Sequence, residues 1–195
     1  MRIVRLVLIV LLVDFMLVAL AVHAQPSVRK GMRFVAPNGR YSVELQEIDR
    51  LSRYVIEDTE TGNVDRSIIM PSLLLYLHWA PNSRSIVTVE HIPHGSCGRV
   101  IYLTSSKWAD VEVHPPGEEM KDAAVIELEV SSQYAHYRFS VRYLKPNGMP
   151  IRYAFCDLDI DLQSGNIANV HWTPTSEAEW ATSLEQKPVY KPPMG

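Results

Sequence analysis

The sequence predicts an all-β domain of antiparallel sheets with one short helix near its C-terminus. Short segments that are alternating or nearly all apolar recur along residues 32–174, and turns rich in Gly, Pro, Asn and Ser separate them. The 195 residues include nine Tyr and thirteen Pro, which suit strands and turns better than a helical bundle. A convincing helix-start signal occurs only near residue 176.

Eleven segments of this single domain have the pattern of strands. The segment 73–79 is nearly all apolar, which predicts a central strand that is buried on both faces. A charged loop is expected at 115–122. In chain order the predicted strands are 40–46, 53–58, 64–69, 73–79, 85–91, 99–104, 111–114, 124–130, 134–144, 152–162 and 167–172.

The hairpin around Asn147-Gly148 is the clearest local prediction, because Asn and Gly readily adopt the positive φ that both positions of a two-residue turn require. With these residues as the loop, one register gives an apolar face and, on the other face, two pairs of opposite charge. The opposing residues are then Tyr137 and Leu158, Phe139 and Cys156, Arg138 and Asp157, and His136 and Asp159.

Residues 175–186 form the predicted helix. Ser176-Glu177-Ala178-Glu179 has the pattern of a capping box, and Trp180 with Leu184 forms an i,i+4 apolar pair that would dock the helix. The Pro-rich tail at 187–195 is expected to be flexible, either loose or extended.

A repeat with a period of 44 residues links the first two parts of the domain. Ala36-Pro37-Asn38-Gly39-Arg40 recurs as Ala80-Pro81-Asn82-Ser83-Arg84, and each copy follows an aromatic residue and precedes an alternating strand. The turn at 58–64 has a later counterpart at 161–167. Strand repeats with a period in the forties are typical of β-propeller blades.

The second copy of the repeat, preceded by Trp79, resembles the W-S-P-D-G repeats of bacterial periplasmic β-propellers. The resemblance covers residues 32–115, with a weak third unit at 124–167, and it implies propeller-like blades. Since the 171 residues that follow residue 24 hold fewer than four blades of 44 residues, we expect an open arrangement of blades, with a β-sandwich as the alternative.

Residues 1–24 have the layout of a secretory signal peptide. Arg2 and Arg5 precede an apolar run at 6–22, and Ala24 is a small residue before the expected cleavage site. Asp14 interrupts this run, which is at the short limit for a membrane span. We therefore expect cleavage, a polar leader at 25–31, no later membrane span, and a periplasmic or extracellular protein. An uncleaved anchor is the alternative.

The composition argues against nucleic-acid binding and indicates the oxidation state of the two cysteines. The formal net charge is −3, and −4 without residues 1–24, so the chain has no basic footprint for nucleic acid. The two cysteines, Cys97 and Cys156, predict one disulfide in an oxidising compartment. Two buried free thiols are the alternative.

Two segments contain metal-ligating residue types, and neither predicts a site. Glu90-His91-Ile92-Pro93-His94 lies close to Cys97, but its proline prevents the helical spacing in which two histidines share a face. Asp157-Leu158-Asp159-Ile160-Asp161 lacks the glycine and the final glutamate of a calcium loop. We therefore expect no metal and no cofactor.

One strand face suggests a binding surface, because aromatic and Arg residues are enriched at binding hot spots. Its residues are Tyr134, His136, Arg138, Arg142 and, across the hairpin, Tyr153. The resulting hypothesis is an exported, non-enzymatic β-domain that binds a protein or an envelope component. The alternatives are a small exported hydrolase and a membrane-anchored adaptor. A hydrolase would bring together several of His78, His91, His94, Asp110 and His114 with shifted pKa values.

Signal cleavage gives a direct test. Protein exported by its native host should lack residues 1–24, because Ala24 is the small residue that closes the apolar run. Intact-mass measurement checks this expectation. A mature chain that still begins at Met1 would contradict it.

Overall fold

A computed structural model describes residues 31–48, 51–70, 73–117, 121–186 and 189–191. The predicted signal peptide and nearly all of the predicted leader lie outside these ranges. The described residues form thirteen strands and one helix. The strands are β1 (Arg33–Val35), β2 (Tyr41–Ile48), β3 (Leu51–Asp58), β4 (Val64–Met70), β5 (Leu73–Trp79), β6 (Ser85–Ile92), β7 (Gly95–Leu103), β8 (Trp108–Val113), β9 (Lys121–Val130), β10 (Tyr134–Leu144), β11 (Pro150–Asp161), β12 (Ile167–Thr175) and β13 (Val189–Lys191), and helix α1 is Glu177–Glu185.

The fold is all-β, as predicted, and consists of three four-stranded antiparallel meanders. We name them blade 1 (β1–β4), blade 2 (β5–β8) and blade 3 (β9–β12). A single parallel bridge between Gly95 and Ala123 joins blades 2 and 3 into one formal sheet. Of the two strands that the sequence analysis missed, β1 completes blade 1, and β13 pairs in parallel with β9.

Blade 2 lies between the other two blades, and its two faces belong to different hydrophobic cores. Ile86 and Ile101 pack with blade 1 around Tyr54 and the two tryptophans Trp79 and Trp108. The alternate residues of the same strands face blade 3; among them are Val87, Val89 and Val100, which pack with Phe139 and Leu158. Each core is therefore an interface between blades.

Two neighbouring strands are buried on both faces, β6 at residues 85–90 and β7 at residues 96–101. The sequence analysis gave this role to β5, which was wrong. In the described sheet β5 pairs with β6 alone, and Leu73 is 64% exposed. The apolar run in β5 reflects one buried face and an apolar but exposed edge.

The repeated turn of blades 1 and 2 has the same geometry in both copies. Gly39 N donates to Ala36 O (2.8 Å), and Ser83 N donates to Ala80 O (2.9 Å). The fourth residue of each copy has a positive φ, 76° at Gly39 and 56° at Ser83. The repeat seen in the sequence is therefore also a repeat of backbone structure.

A second turn recurs between blades 1 and 3. In each copy the carboxylate of the first Asp accepts hydrogen bonds from the amides two and three residues later, as in an Asx turn. Gly62 and Gly165 close the two turns with the same φ of 70°. The predicted correspondence of 58–64 with 161–167 is therefore structural.

The β10–β11 register agrees with the prediction at all four predicted pairs, and it leaves Leu158, Ile160 and Leu162 buried. The predicted loop was wrong, because only Gly148 has a positive φ (78°) and its amide donates to Lys145 O (2.8 Å). The loop has three residues, 146–148. An irregularity at Tyr143/Leu144 compensates for the extra residue and restores the predicted register.

Helix α1 begins at the predicted capping box, in which Ser176 Oγ accepts from Glu179 N (3.2 Å). Trp180 docks on blade 3, but Leu184 is 41% exposed, so the predicted second anchor was wrong. The second anchor is Ser183, whose hydroxyl lies 2.7 Å from that of Ser140. Within the described residues, no helix has the length and hydropathy of a membrane span.

The predicted bridge between Cys97 and Cys156 is absent, and both cysteines are buried free thiols. Cys97 lies on the face of blade 2 that faces blade 1, on the same side of β7 as Ile101. Cys156 lies in the core between blades 2 and 3. Because the two thiols belong to different interfaces, the fold keeps them apart.

Gly98 allows blade 3 to approach the backbone of blade 2. A Cβ atom at this position would lie 2.3 Å from the ring of Tyr137. The Tyr137 hydroxyl is a hydrogen-bond donor 3.1 Å from the carbonyl oxygens of both Thr88 and Arg99. The absence of a side chain at position 98 thus lets the Tyr137 side chain of blade 3 reach and hydrogen-bond the backbones of β6 and β7.

Gly98→Ala should therefore destabilise the protein by about 3 kcal/mol, since the fully buried ring cannot move away from the added methyl group. Gly39→Ala is the control for backbone strain alone, because its Cβ meets nothing within 4 Å; we expect a loss of about 1 kcal/mol there. Urea unfolding measures both free energies. An equal or smaller loss for Gly98→Ala would contradict this packing.

Candidate functional site

The five residues predicted as a binding surface all lie on the outer face of blade 3, which is the face turned away from blade 2. They are Tyr134, His136, Arg138 and Arg142 on β10 and Tyr153 on β11. The structure does not bring them into one cluster. Helix α1 crosses this face and divides them into three groups with different surroundings.

Two of the five residues support the helix. The guanidinium of Arg142 lies 4.8 Å from the centre of the Trp180 ring, and Tyr153 packs against the same ring at 5.3 Å. Arg142 Nε also donates to Asp122 (3.1 Å). These contacts explain the docking of α1.

Two others lie at the far end of the face. His136 Nδ1 is 2.7 Å from Asp159, and its Nε2 is 3.6 Å from Asp157. Tyr134 is 37% exposed and accepts a hydrogen bond from Gln133 Nε2 (3.1 Å). Of the three aspartates that imitate a calcium loop, Asp159 is hydrogen-bonded to His136 and Asp161 accepts from its own turn, whereas Asp157 Oδ1 is buried with only ion pairs at 3.6 and 3.8 Å.

The fifth residue, Arg138, lines a groove of about 540 Å³ between α1 and blade 3. The floor of the groove is formed by Ile126, Arg138 and Phe155. The residues that form its walls are Ala178, Thr182 and Ser183 on the helix and Val189 and Lys191 on β13. The small side chains of Ala178, Thr182 and Ser183 leave this space unfilled, while Trp180 anchors the helix on the Tyr153 ring.

Arg138 differs from the other cations of this face in its contacts. Its guanidinium lies 4.9 Å from the centre of the Phe155 ring, and its only ion pair among the described residues is with Asp157 at 3.8 Å. Glu127, which lies opposite Arg138 on β9, is paired with Lys191. Arg138 therefore has stacked, oriented N–H donors without a hydrogen-bonded acceptor among the described residues.

A second polar cluster lies between blades 1 and 2, and sequence reasoning missed it. Arg99 is 8% exposed and contacts three carboxylates, those of Glu90 (3.3 Å), Asp110 (2.9 Å) and Glu112 (3.1 Å). Glu90 is 1% exposed and also accepts from Thr88 Oγ1 (2.8 Å). Burial alone would lower the pKa of Arg99, but Glu90 and Glu112 raise it.

Cys97 belongs to the same cluster. Its thiol sulfur and the ligand atoms of Glu112 and His114 all lie within 4.8 Å of one another. Burial, with added effects of the Glu90 and Glu112 carboxylates, raises the pKa of this thiol to about 12. A cysteine nucleophile needs a lowered pKa, so this arrangement does not support thiol catalysis.

The residues that a hydrolase would bring together do not converge. Asp110 and His114 lie in the Arg99 cluster, whereas His94 is 3.8 Å from Asp122 and is 80% exposed. Burial lowers the pKa of His78, which lies on β5 beside a separate surface pocket. Among the described residues, Asp110 and His114 thus share one cluster, whereas His78 and His94 lie elsewhere.

Comparisons with known proteins find structural similarity alone. No family model matches the chain, and no curated protein matches it. Hydrazine synthase from Kuenenia stuttgartiensis aligns with a TM-score of 0.38 and 11% identity over 78% of this chain and 60% of its own. The acylaminoacyl peptidase of Pyrococcus horikoshii aligns with a TM-score of 0.38 and 12% identity over 77% of this chain and 25% of its own. The AtxE2 isopeptidase aligns with a TM-score of 0.35 and 11% identity over 84% of this chain and 32% of its own. This chain thus spans less than two thirds of each, and similarity at this level assigns no activity.

The Arg99 cluster should have a large effect on stability. Arg99→Gln leaves the buried Glu90 carboxylate without its cation, so we expect a loss of about 3–5 kcal/mol. Arg66→Gln is the control, because it removes a half-exposed partner of Asp110 and should cost less than about 1 kcal/mol. Urea unfolding at neutral pH compares the two. Similar losses would contradict a buried ionic network.

Proposed function

We propose that this chain is an exported binding domain whose groove, formed by α1 and the outer face of blade 3, receives an extended segment of a partner protein that carries a carboxylate. Arg138 is the observation that carries the proposal. The residue lies on the groove floor and has donors available for a planar anion. Guanidinium groups bind carboxylates in a bidentate manner when their plane is fixed.

The packing of Arg138 supports a role in recognition. The Phe155 ring beneath the guanidinium fixes its plane, so little side-chain entropy is lost when an anion binds. The pairing of Lys191 with Glu127 neutralises the neighbouring carboxylate, which would otherwise repel an acidic ligand. Arg138 then shares its charge with Asp157 alone, at 3.8 Å. The second carboxylate in the groove lining, Glu179, is engaged by the hydroxyls of Thr175 and Ser176.

The shape of the groove favours an extended segment over a small molecule. Its lining includes residues of both α1 and β13, and Ile126, Phe155 and Val189 offer apolar surface beside the cation. A segment with an apolar residue next to an acidic one would match both features. Export to the periplasm or the cell exterior rests on residues 1–24 and would place the partner in the same compartment.

Filling the groove should abolish binding. Ala178 and Ala181 are both exposed on α1, but only Ala178 lines the groove. Ala178→Trp should weaken binding at least tenfold, whereas Ala181→Trp should leave the affinity unchanged. The probe is a peptide selected from a random displayed library with the native protein, and fluorescence anisotropy measures its affinity. Equal effects of the two substitutions would contradict the groove as the site.

Removing the Arg138 cation should reduce the affinity specifically for peptides that carry an acidic residue. Arg138→Gln should weaken the selected peptide about 10- to 100-fold, since a hydrogen-bonded charge contributes about 1.5–3 kcal/mol. Replacing the acidic residue of the peptide by its amide should cause the same loss with wild type and none with the variant. Arg152→Gln is the control, because Arg152 also stacks on an aromatic ring of blade 3, at 4.0 Å from the centre of Tyr143. Selection of peptides without acidic residues would overturn the proposal.

A further inference from the structure

The antiparallel pairing of β7 and β8 brings three different metal-ligating side chains together at one end of blade 2. Gly98 lies opposite Val113, so Cys97 and His114 come next along their strands. Glu112 precedes His114 by two residues and therefore lies on the same face of β8. The sulfur, nitrogen and oxygen donors of these three residues all lie within 4.8 Å of one another.

We propose that Cys97, Glu112 and His114 form a binding site for a divalent transition-metal ion of the zinc type. Thiolate, imidazole and carboxylate are the donors that zinc uses in proteins, and a set of three protein ligands leaves a fourth position. Such a mixed set does not suit calcium or magnesium, which take oxygen ligands.

The distances are compatible with a shared ion after small side-chain movements. Bond lengths of about 2.0–2.3 Å place two donors of a tetrahedral zinc ion about 3.3–3.7 Å apart. His114 Nε2 and Glu112 Oε1 are 2.5 Å apart in a short hydrogen bond, which an ion would open. Glu90 Oε2 lies 4.0 Å from the sulfur of Cys97 and is a further carboxylate beside the site.

The surrounding charges favour a cation at this place. Glu90, Asp110 and Glu112 contribute three carboxylates to the cluster, whereas Arg99 is its one buried cation among the described residues. A divalent ion would replace the thiol proton of Cys97 and compensate the excess negative charge. The charges of the cluster are therefore better balanced with a bound divalent ion than with the thiol proton of Cys97.

Arg99 would serve as the outer-shell support of this site. Its Nη2 donates to Glu112 Oε2 (3.1 Å), which leaves Glu112 Oε1 on the side of His114. Its Nε donates to Glu90 Oε1 (3.3 Å). Carboxylate ligands in metal sites are commonly held in this way by a second hydrogen bond. An entry path exists, because the Glu112 and His114 side chains are 44% and 43% exposed.

Cobalt(II) tests the site, because ligation by a thiolate gives a cobalt–sulfur charge-transfer band. The protein is purified from its native host, stripped with a chelator and titrated with Co²⁺. Wild type should bind one equivalent and develop the band, and Zn²⁺ should displace the cobalt. Cys156→Ala is the matched control, since its thiol is equally buried but lies in the other core, and it should retain the band.

Two variants test the ligands. Cys97→Ala should lose the charge-transfer band, and His114→Gln should bind Co²⁺ at least tenfold more weakly without loss of folding, because His114 is partly exposed at the end of β8. His171→Gln is the control for an exposed histidine and should bind as wild type does. The proposal is overturned if wild type shows no band, if Cys97→Ala keeps it, if Cys156→Ala loses it, or if His114→Gln and His171→Gln bind equally.

Discussion

Blade 2 is covered on both faces, and the rest of the structure depends on this arrangement. A four-stranded meander alone cannot bury enough apolar surface to be stable, so each neighbouring blade supplies one half of a core. Alternation along β6 and β7 then decides what each interface contains. Ile86 and Ile101 face blade 1, and Val87 and Val100 face blade 3. The same alternation directs Glu90, Cys97 and Arg99 to blade 1, which is why the ionic cluster forms at that interface.

The two interfaces differ in chemistry, and this separates two kinds of site. The interface between blades 2 and 3 is apolar and closely packed, with Tyr137 against Gly98. The interface between blades 1 and 2 combines aromatic packing with a buried arginine and its carboxylates. Within the part of the chain that the structure describes, no blade covers the outer face of blade 3, and α1 covers part of it instead. The groove is what remains uncovered between the helix and β13.

Sequence analysis predicted the β10–β11 register because Phe139 and Cys156 alternate with charged residues on both strands. It missed the three-residue loop because a loop residue and a compensating irregularity leave the register unchanged. The strand that holds Cys97 was predicted to begin at Arg99, which left the cysteine in a loop and hid its closeness to His114. The regular alternation of Cys97, Arg99 and Ile101 could have predicted that this strand begins before Cys97. The groove was beyond prediction, since it depends on how far Ser183 and Trp180 hold α1 above the sheet.

The succession of blades also has a consequence for how the chain folds. Within each blade, the strand pairs are neighbours in sequence, and short turns such as those begun by Asp58 and Asp161 connect them. Each antiparallel pair within a blade therefore joins two strands that follow each other along the chain, and each hairpin can form without waiting for a distant part of the chain. Long-range order enters when blades stack, as in linear repeat proteins, where stability is a sum of unit and interface terms. Opening should then begin at blade 1 or blade 3, each with one blade neighbour, and amides in β6 and β7 should exchange with solvent last.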